Sequence, residues 1–249
     1  MCRLLGILSK TNVDSTWLRQ FKNLAKYGKS KDGLGHQDGW GIVIYQNNNP
    51  NYLGREPTSA INDVKYDIAI NSLSNSTLRT KYLVAHVRKA SPGSEINLHN
   101  THPFIYKNWT FCHNGILYDF KPHLQIPLNG TTDSEIFFKY ILPSLLADVD
   151  KSYELRLRDS INDTKSFMKK YKALNFILTD GNNMFAYRDF MESEVSSDLI
   201  TLNYCKTENE VIVCSEPLTV HLPEKEWEDL KNKQMLIVDK DLDMKILQL

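Results

Sequence analysis

The chain has 249 residues, of which 24% are charged and 41% hydrophobic, a composition typical of a folded globular protein. Its 30 basic and 30 acidic side chains balance, so we expect neither a nucleic-acid nor a membrane partner. No apolar run is long enough for a signal-peptide core or a membrane span. The four cysteines show no close pairing, which predicts no disulfide framework and indicates a reducing, cytoplasmic location.

The first quarter of the chain predicts a strand, a helix, a loop and a strand pair. The apolar run after Met1 predicts a buried strand, and apolar residues at helical spacing predict a helix over Asp14–Tyr27. The glycine-rich, polar stretch Gly28–Gly41 predicts a loop, and loops of this length are often functional. Ile42–Tyr45 and Asn51–Arg55 then predict two paired strands.

The next segments alternate between ordered and irregular patterns. Ser59–Ser72 has mixed helical periodicity, and the apolar Tyr82–Arg88 predicts a strand. A second long irregular stretch covers Lys89–Asn108. Trp109–His113 predicts a strand that ends in Asn114-Gly115, a pair that commonly forms a tight turn.

Two helices are predicted in the middle of the chain. Thr132 and Glu135 have the spacing of a capping box that opens a helix to about Ala147, and a second helix is predicted over Ser152–Tyr171. The C-terminal part predicts a short helix near Glu224–Leu230 and six strands: Ala173–Thr179, Met184–Arg188, Leu199–Cys205, Glu210–Ser215, Gln234–Asp239 and Met244–Leu249. This order has no βαβ rhythm and no nucleotide-binding glycine motif, and it favours one layered domain.

Cys2 is the first candidate for chemistry because of its position. Removal of Met1 is expected before a side chain as small as that of cysteine. The liberated α-amino group has a pKa of about 8, so one residue would supply both a thiol nucleophile and its proton acceptor. The alternative is that Cys2 is a small buried hydrophobic residue at the start of a strand.

Three further groups suit the recognition of an amide substrate that carries an amino-acid head. The Asn114 side chain and the Gly115 backbone N–H would form an oxyanion hole, unless the pair is only a turn. Arg88, at a strand exit, would bind a carboxylate through two parallel hydrogen bonds, or it is a surface arginine with an acidic neighbour. Asp133 would bind an ammonium group or complement a helix N-terminus.

Several motifs occur together in a fixed order. They are Cys2 before an apolar strand, Gly35-His36-Gln37-Asp38-Gly39-Trp40-Gly41-Ile42, Ala85-His86-Val87-Arg88, Thr101-His102-Pro103-Phe104, His113-Asn114-Gly115, Thr132-Asp133-Ser134-Glu135 and Ser215-Glu216-Pro217-Leu218. In this order the chain resembles the class II glutamine amidotransferases of the N-terminal nucleophile hydrolase superfamily. It is most similar to the small stand-alone branch that includes γ-glutamyl peptide hydrolases. Many members place an arginine before Gly-Gln-Asp/Glu, whereas Gly35-His36 stand there in this sequence.

The resemblance implies an α+β fold, a four-layer αββα sandwich of two antiparallel sheets between helical layers, formed by residues 2–249 as one domain. It implies that Cys2 attacks the γ-carbonyl group while its amine moves the proton, and that Asn114 and Gly115 hold the oxyanion. Arg88 and Asp133 would bind the substrate carboxylate and ammonium. The residues expected to shape or cover the pocket are His86, Ser91, His102 and Trp40.

The first functional hypothesis is therefore an amidohydrolase for glutamine or a γ-glutamyl compound, with no cofactor. Because the resemblance uses nearly the whole chain, a separate acceptor protein would have to use any released ammonia. The second hypothesis is a metal-dependent hydrolase with His99 and His102 joined by His86 or His113. The third is a non-catalytic amino-acid-binding protein on the same scaffold.

Overall fold

The computed structural model describes residues 1–74, 78–147, 150–219 and 226–249. The helices in these ranges are α1 (Thr16–Tyr27), α2 (Val64–Ser74), α3 (Asp133–Leu146) and α4 (Tyr153–Ser166), with 3₁₀ turns at Ala60–Asn62 and Ser197–Leu199. The strands are β1 (Arg3–Ser9), β2 (Trp40–Gln46), β3 (Asn49–Glu56), β4 (Tyr82–Val87), β5 (Phe104–Tyr106), β6 (Trp109–Leu117), β7 (Tyr171–Thr179), β8 (Met184–Arg188), β9 (Asn203–Lys206), β10 (Glu210–Cys214), β11 (Glu228–Asp229), β12 (Gln234–Val238) and β13 (Met244–Gln248). None of the described helices combines the length and apolar character needed to cross a bilayer.

The strands form two antiparallel sheets. The first has the order β11-β9-β10-β1-β4-β2-β3, and the second has the order β13-β12-β8-β7-β6-β5. Strand β1 therefore lies in the middle of its sheet, between β10 and β4. Strand β6 pairs with β7 and β5 in the second sheet.

Three hydrophobic clusters separate four layers. One joins the first sheet to α1 and α2, a second joins the second sheet to α3 and α4, and a third lies between the sheets. Alternation along β1 sends Leu5 to the helical side and Leu4 to the space between the sheets. Gly6 permits a close approach of the sheets, because a Cβ there would lie 2.8 Å from Sδ of Met184. The predicted αββα sandwich is confirmed.

Most predicted elements are present with shifted ends, and four details were wrong. The second central helix ends at Ser166 rather than at Tyr171, because Tyr171 already pairs with Leu117 in the second sheet. The irregular stretch before Trp109 contains β5, whose three residues are too short for a periodic signal. The short helix predicted near Glu224–Leu230 does not extend to Leu230: Glu226 has 3₁₀ conformation, Glu228–Asp229 form a strand, and residues 224–225 lie outside the described ranges.

The fourth correction concerns Asn114-Gly115. The pair does not form a turn, because β6 continues through it to Leu117 and pairs Asn114 with Asn175 of β7. The register then shifts between Gly115 and Leu117, which places a bulge directly after the pair. Bulges commonly redirect side chains beside functional sites.

Candidate active site

Strand alternation brings three predicted site residues to one end of the space between the sheets. Cys2 directly precedes β1, Arg88 directly follows β4, and Asn114 lies within β6. Each is an even number of residues from an apolar neighbour in the inter-sheet cluster; these neighbours are Leu4, Val84 and Cys112. A strand period of two therefore points all three side chains into the same space.

The backbone nitrogen of Cys2 donates a 2.7 Å hydrogen bond to Oδ1 of Asn114. The Cys2 thiol lies 3.4 Å from the backbone nitrogen of Lys89, which donates to it, and 3.6 Å from the Lys89 carbonyl oxygen. Met1 is present, so the nitrogen of Cys2 is an amide here. The backbone of Cys2 is thus already placed so that its thiol and its nitrogen lie beside the Asn114 side chain.

Asn114 also presents an unused donor. Its Nδ2 is buried and has no hydrogen-bond partner among the described residues, although its oxygen is engaged by Cys2. Buried amide N–H groups are rarely left unpaired, since the cost is about 1–3 kcal/mol. Gly115 beside it leaves no room for a side chain, because a Cβ would lie 1.8 Å from the Ala173 carbonyl oxygen.

Arg88 is a buried cation held by uncharged groups. Only 3% of its surface is exposed, and its guanidinium donates to the Glu95 carbonyl oxygen at 3.1 Å and to Oγ of Ser94 at 3.3 Å. No carboxylate forms an ion pair with it in the described part of the chain. Burial lowers the pKa of Arg88, and the neighbouring Cys2 and Asp38 oppose this shift. Arg88 is therefore not the surface arginine of the alternative interpretation.

Asp133 is the first residue of α3 and lies at the bulge of β6. Its Oδ2 accepts a 2.7 Å hydrogen bond from the Leu117 nitrogen. Thr132 caps the helix as predicted by accepting from the Glu135 nitrogen at 3.2 Å. The Glu135 carboxylate does not return to Thr132; it accepts from the backbone nitrogens of Asn129 and Gly130. The bulge therefore brings Asp133 close to the strand that carries Asn114 and Gly115.

His86 and His102 form a buried pair of tilted rings next to the site. Their ring centroids are 4.4 Å apart, and their ring nitrogens have no hydrogen-bond partner in the described ranges. Burial lowers the pKa of both rings, and nearby cations and histidines lower it further. His99 lies on the exposed loop before His102. No group of three metal-ligating side chains is found among the residues that the structure describes, so the metal alternative lacks a ligand set.

The other two predicted pocket residues have different positions. Ser91 is half-buried and begins a turn by accepting from the Ser94 nitrogen at 2.9 Å, beside the loop that holds Arg88. Trp40 is fully buried under the first sheet, where Nε1 donates to Asp63 at 2.8 Å and the ring contacts Tyr66. We therefore correct the expectation that Trp40 covers the pocket, because its indole is committed to the helical core.

The N-terminal segment is anchored by an ion pair that the sequence interpretation missed. Arg3 is 1% exposed and pairs with Glu216, while its Nη1 donates to the Cys2 carbonyl oxygen at 2.9 Å. Glu216 also accepts from the backbone nitrogen of Lys29 at 2.7 Å, and Arg3 donates to the Lys29 carbonyl oxygen. A charged residue inside the apolar run of β1 was the available signal. This network fixes the carbonyl oxygen of Cys2, while Asn114 holds its nitrogen.

His36, in the glycine-rich loop, contacts the residue that precedes Cys2. Its Nδ1 donates to the carbonyl oxygen of Met1, which fixes the tautomer and leaves Nε2 without a described partner. Burial and the Arg3 cation lower its pKa to about 3. Burial and the cations Arg3, Lys172 and Lys89 likewise lower the pKa of the Met1 amino group. The N-terminus thus lies in a buried, positive environment that favours a neutral amine.

Asn175 is another residue that sequence reasoning missed. It is fully buried opposite Asn114, donates to the Ile200 carbonyl oxygen at 2.6 Å and accepts from the Asp189 nitrogen at 3.0 Å. Arg188 donates to the same Ile200 oxygen at 3.1 Å. These bonds fix the segment around Ile200 against the middle of β7 and the end of β8. A polar residue within the apolar β7 sequence was the only available signal.

The sequence was compared with known protein families and proteins. A sequence model of the glutamine amidotransferases class-II family matches residues 1–246. A protein of Escherichia coli K12, named only provisionally as a glutamine amidotransferase, is 34% identical over 209 residues, or 75% of this chain and 72% of that protein. The γ-glutamyl-hercynylcysteine sulfoxide hydrolase of Mycobacterium tuberculosis is 30% identical over 122 residues, or 47% of this chain and 50% of the hydrolase.

Solved structures share the architecture. A glutamine aminotransferase class-II domain protein of Silicibacter pomeroyi has a TM-score of 0.65 at 17% identity, covering 100% of this chain and 99% of that one. The glutamine phosphoribosylpyrophosphate amidotransferase of Bacillus subtilis has a TM-score of 0.68 at 18% identity. That match covers 99% of this chain and 49% of the enzyme, so this chain spans about half of its length. At these identities the structures show the fold alone.

Proposed function

Because this chain belongs to the class II glutamine amidotransferases, we propose that it is an N-terminal cysteine amidohydrolase that cleaves the γ-amide of glutamine or a γ-glutamyl compound. Removal of Met1 would make Cys2 the terminal residue. The distant similarity to a γ-glutamyl-hercynylcysteine sulfoxide hydrolase, which covers 47% of this chain, supports including γ-glutamyl compounds among the substrates. We propose that Cys2, Asn114 and Gly115 carry the chemistry and that Arg88 and Asp133 bind the substrate head.

One observation carries the proposal. Asn114 accepts from the Cys2 nitrogen at 2.7 Å and keeps its Nδ2 buried without a partner. A structural asparagine would use both ends of its amide, because an unpaired buried donor is costly. An oxyanion that forms during attack by the Cys2 thiolate would give this donor its partner.

The proposed reaction has two stages, acylation of Cys2 and hydrolysis of the resulting thioester. The Cys2 amine takes the thiol proton, and the thiolate attacks the γ-carbonyl carbon to form a tetrahedral oxyanion. The oxyanion is stabilised by Nδ2 of Asn114 and by the Gly115 N–H. The carbon–nitrogen bond then breaks, the Cys2 ammonium returns the proton to the leaving nitrogen, and a γ-glutamyl thioester remains. Water, deprotonated by the same amine, attacks the thioester and releases glutamate and the thiol.

The substrate head would lie between Arg88 and Asp133. Arg88 suits a carboxylate because it is buried, fixed by neutral acceptors and free of a competing carboxylate among the described residues. Asp133 would attract the α-ammonium from the other side. His86 and His102 would remain neutral behind this site, because burial depresses the pKa of both rings. A separate protein that accepts ammonia remains part of the proposal for glutamine as substrate.

The proposal is tested by the release of ammonia from glutamine and of glutamate from γ-glutamyl dipeptides. We expect turnover by protein that lacks Met1 and none by Cys2→Ala. Cys205→Ala is the matched control, because Cys205 is buried in the cluster under α1 and should retain activity. Turnover by Cys2→Ala would reject the mechanism. Glutamine binding without turnover by the processed wild-type protein would favour the non-catalytic alternative.

A further inference from the structure

The side chain of Met1 packs against a small cluster of buried apolar residues beside the proposed nucleophile. Met1 is half-buried and lies against a small cluster separate from the three large ones. We call this the Met1 pocket; its residues are Ala173, Phe190, Val195, Leu199 and Ile200. Removal of Met1 would leave these side chains without their present occupant.

The Met1 pocket is continuous with the proposed catalytic groups. Its member Ala173 lies directly against Gly115, since the Ala173 carbonyl oxygen is 1.8 Å from the position of a Cβ on that glycine. The Leu199 carbonyl oxygen accepts from Arg3 at 3.4 Å, and Arg3 also holds the Cys2 carbonyl. The wall of the pocket therefore adjoins the oxyanion donors, because β7, which carries Ala173, pairs with β6, which carries Asn114 and Gly115.

The wall of the pocket is fixed independently of Met1. The Ile200 carbonyl oxygen accepts from Asn175 at 2.6 Å and from Arg188 at 3.1 Å. The backbone nitrogen of Phe190 donates to Asn232 at 3.0 Å, and its ring lies 5.2 Å from the Arg188 guanidinium carbon. These bonds do not depend on the N-terminal residue, so the pocket should keep its form after processing.

The direction of proton transfer relates this pocket to the substrate. In the proposed reaction the leaving nitrogen takes its proton from the Cys2 amine, and it must lie within hydrogen-bond reach of that amine. Met1 is attached to the same nitrogen of Cys2. A group carried by the leaving nitrogen would therefore start close to the space that Met1 now fills. Glutamine carries only hydrogen atoms there and would leave the apolar walls uncovered.

We propose that the Met1 pocket is a leaving-group subsite and that the favoured substrates are γ-glutamyl amides whose leaving amine carries an apolar side chain. This inference rests on the proposed function and specifies its substrate class. The methionine side chain of the unprocessed chain stands in for the side chain of the leaving group. Val195 and Phe190 are its specificity-determining residues, since they form the apolar wall without touching the reacting atoms.

The test compares kcat/KM for γ-glutamyl-methionine, γ-glutamyl-glycine and glutamine on protein shown by mass spectrometry to lack Met1. The two dipeptides share every charged group, so their ratio isolates the contribution of the apolar side chain. We expect γ-glutamyl-methionine to be favoured by about 10-fold or more, the range for one to several buried methylene groups. Val195→Ala should lower this ratio severalfold. Val13→Ala, the same change in the remote cluster under α1, should leave the ratio as in the wild type.

The outcomes separate the inference from the function on which it rests. Equal kcat/KM for the three substrates, or a ratio lowered as much by Val13→Ala as by Val195→Ala, would overturn the subsite while amide hydrolysis stands. Absence of turnover on all three substrates would overturn both. Because the ratio is measured within each variant, partial unfolding cannot mimic a loss of preference.

Discussion

The backbone nitrogen of Cys2 and Oδ1 of Asn114 are 2.7 Å apart, although the residues are 112 positions apart in the chain. Cys2 directly precedes a strand of the first sheet, and Asn114 lies in a strand of the second. This hydrogen bond spans the interior of the sandwich at one end. It sets the orientation of the Asn114 amide, so Nδ2 is the atom left without a described partner.

Asn114→Asp should separate the two functions of the amide. Aspartate keeps an oxygen that accepts from the Cys2 nitrogen, but it has no N–H for an oxyanion. We expect kcat for glutamine hydrolysis to fall by about 10²–10³-fold, the usual cost of one oxyanion donor. Steady-state kinetics measures this fall, and an unchanged denaturation midpoint checks the fold. A fall of less than about threefold would remove Asn114 from the proposed oxyanion hole.

Arg88→Lys should impair substrate binding more than chemistry. Lysine keeps the charge but loses the planar pair of donors that matches a carboxylate. We therefore expect KM for glutamine to rise by about 10-fold, with a smaller change in kcat. Arg55→Lys is the control, because Arg55 lies on β3 and donates to the Tyr52 hydroxyl and to the Thr101 carbonyl oxygen. An unchanged KM in Arg88→Lys would argue against carboxylate binding there.

Glu216→Ala should destabilise the fold by uncovering a buried charge. Arg3 is 1% exposed and Glu216 is 15% exposed, so removing the carboxylate leaves Arg3 buried without its partner. We expect a loss of about 3–5 kcal/mol in the free energy of unfolding, measured with urea. Glu154→Ala removes the more exposed pair with Lys245 and should cost about 0–1 kcal/mol. Equal losses in the two variants would contradict the anchoring role of Arg3.

Acid should destabilise the protein through its buried histidines. Burial lowers the pKa of His36 to about 3 and also lowers the pKa of His86 and His102, whereas the unfolded value is about 6.5. The contribution of these histidines to the free energy of unfolding is fully present above pH 6.5. It is lost as the pH falls from there toward the folded pKa values. Each histidine that stays neutral in the folded protein lowers the free energy of unfolding by about 2 kcal/mol when the pH falls from 7.5 to 5.

His102→Phe isolates one of these groups. Phenylalanine cannot take up a proton, so the loss of unfolding free energy between pH 7.5 and 5 should shrink by about 2 kcal/mol. Urea unfolding at both pH values measures this difference. The exposed His123, changed to Gln, is the control and should leave the pH dependence unaltered. The same acid sensitivity in His102→Phe as in the wild type would show that His102 is protonated in the folded protein.

The sequence predicted the fold well where a pattern is local. The apolar runs of β1 and β7 and the cap at Thr132 each depend on near neighbours, and each element formed. The predicted end of α4 was wrong because Tyr171 pairs with Leu117 in the second sheet, and Leu117 is distant in sequence. Asn114-Gly115 was ambiguous for the same reason, since only β7 shows that the strand continues.

The site was predicted through residue types, and its supports were missed. Cys2, Arg88 and Asn114 were selected because their chemistry is unusual at their positions, and the structure brings them together. Trp40 was misplaced because an aromatic residue in a glycine-rich loop gives no sign of which face it covers. The pairing of Arg3 with Glu216 spans 213 positions, and nothing in the local sequence connects the two.

The central claim is that Cys2 reacts as a chain-terminal nucleophile. The most direct measurement is to treat the protein with a glutamine analogue that carries an electrophilic diazoketone at the γ position and to map the label by intact-chain mass spectrometry. Cys112, Cys205 and Cys214 serve as internal controls, because burial raises the pKa of their thiols. We predict one label per chain, on Cys2, and only on chains that have lost Met1. Labelling of chains that retain Met1, or of another cysteine, would contradict the account.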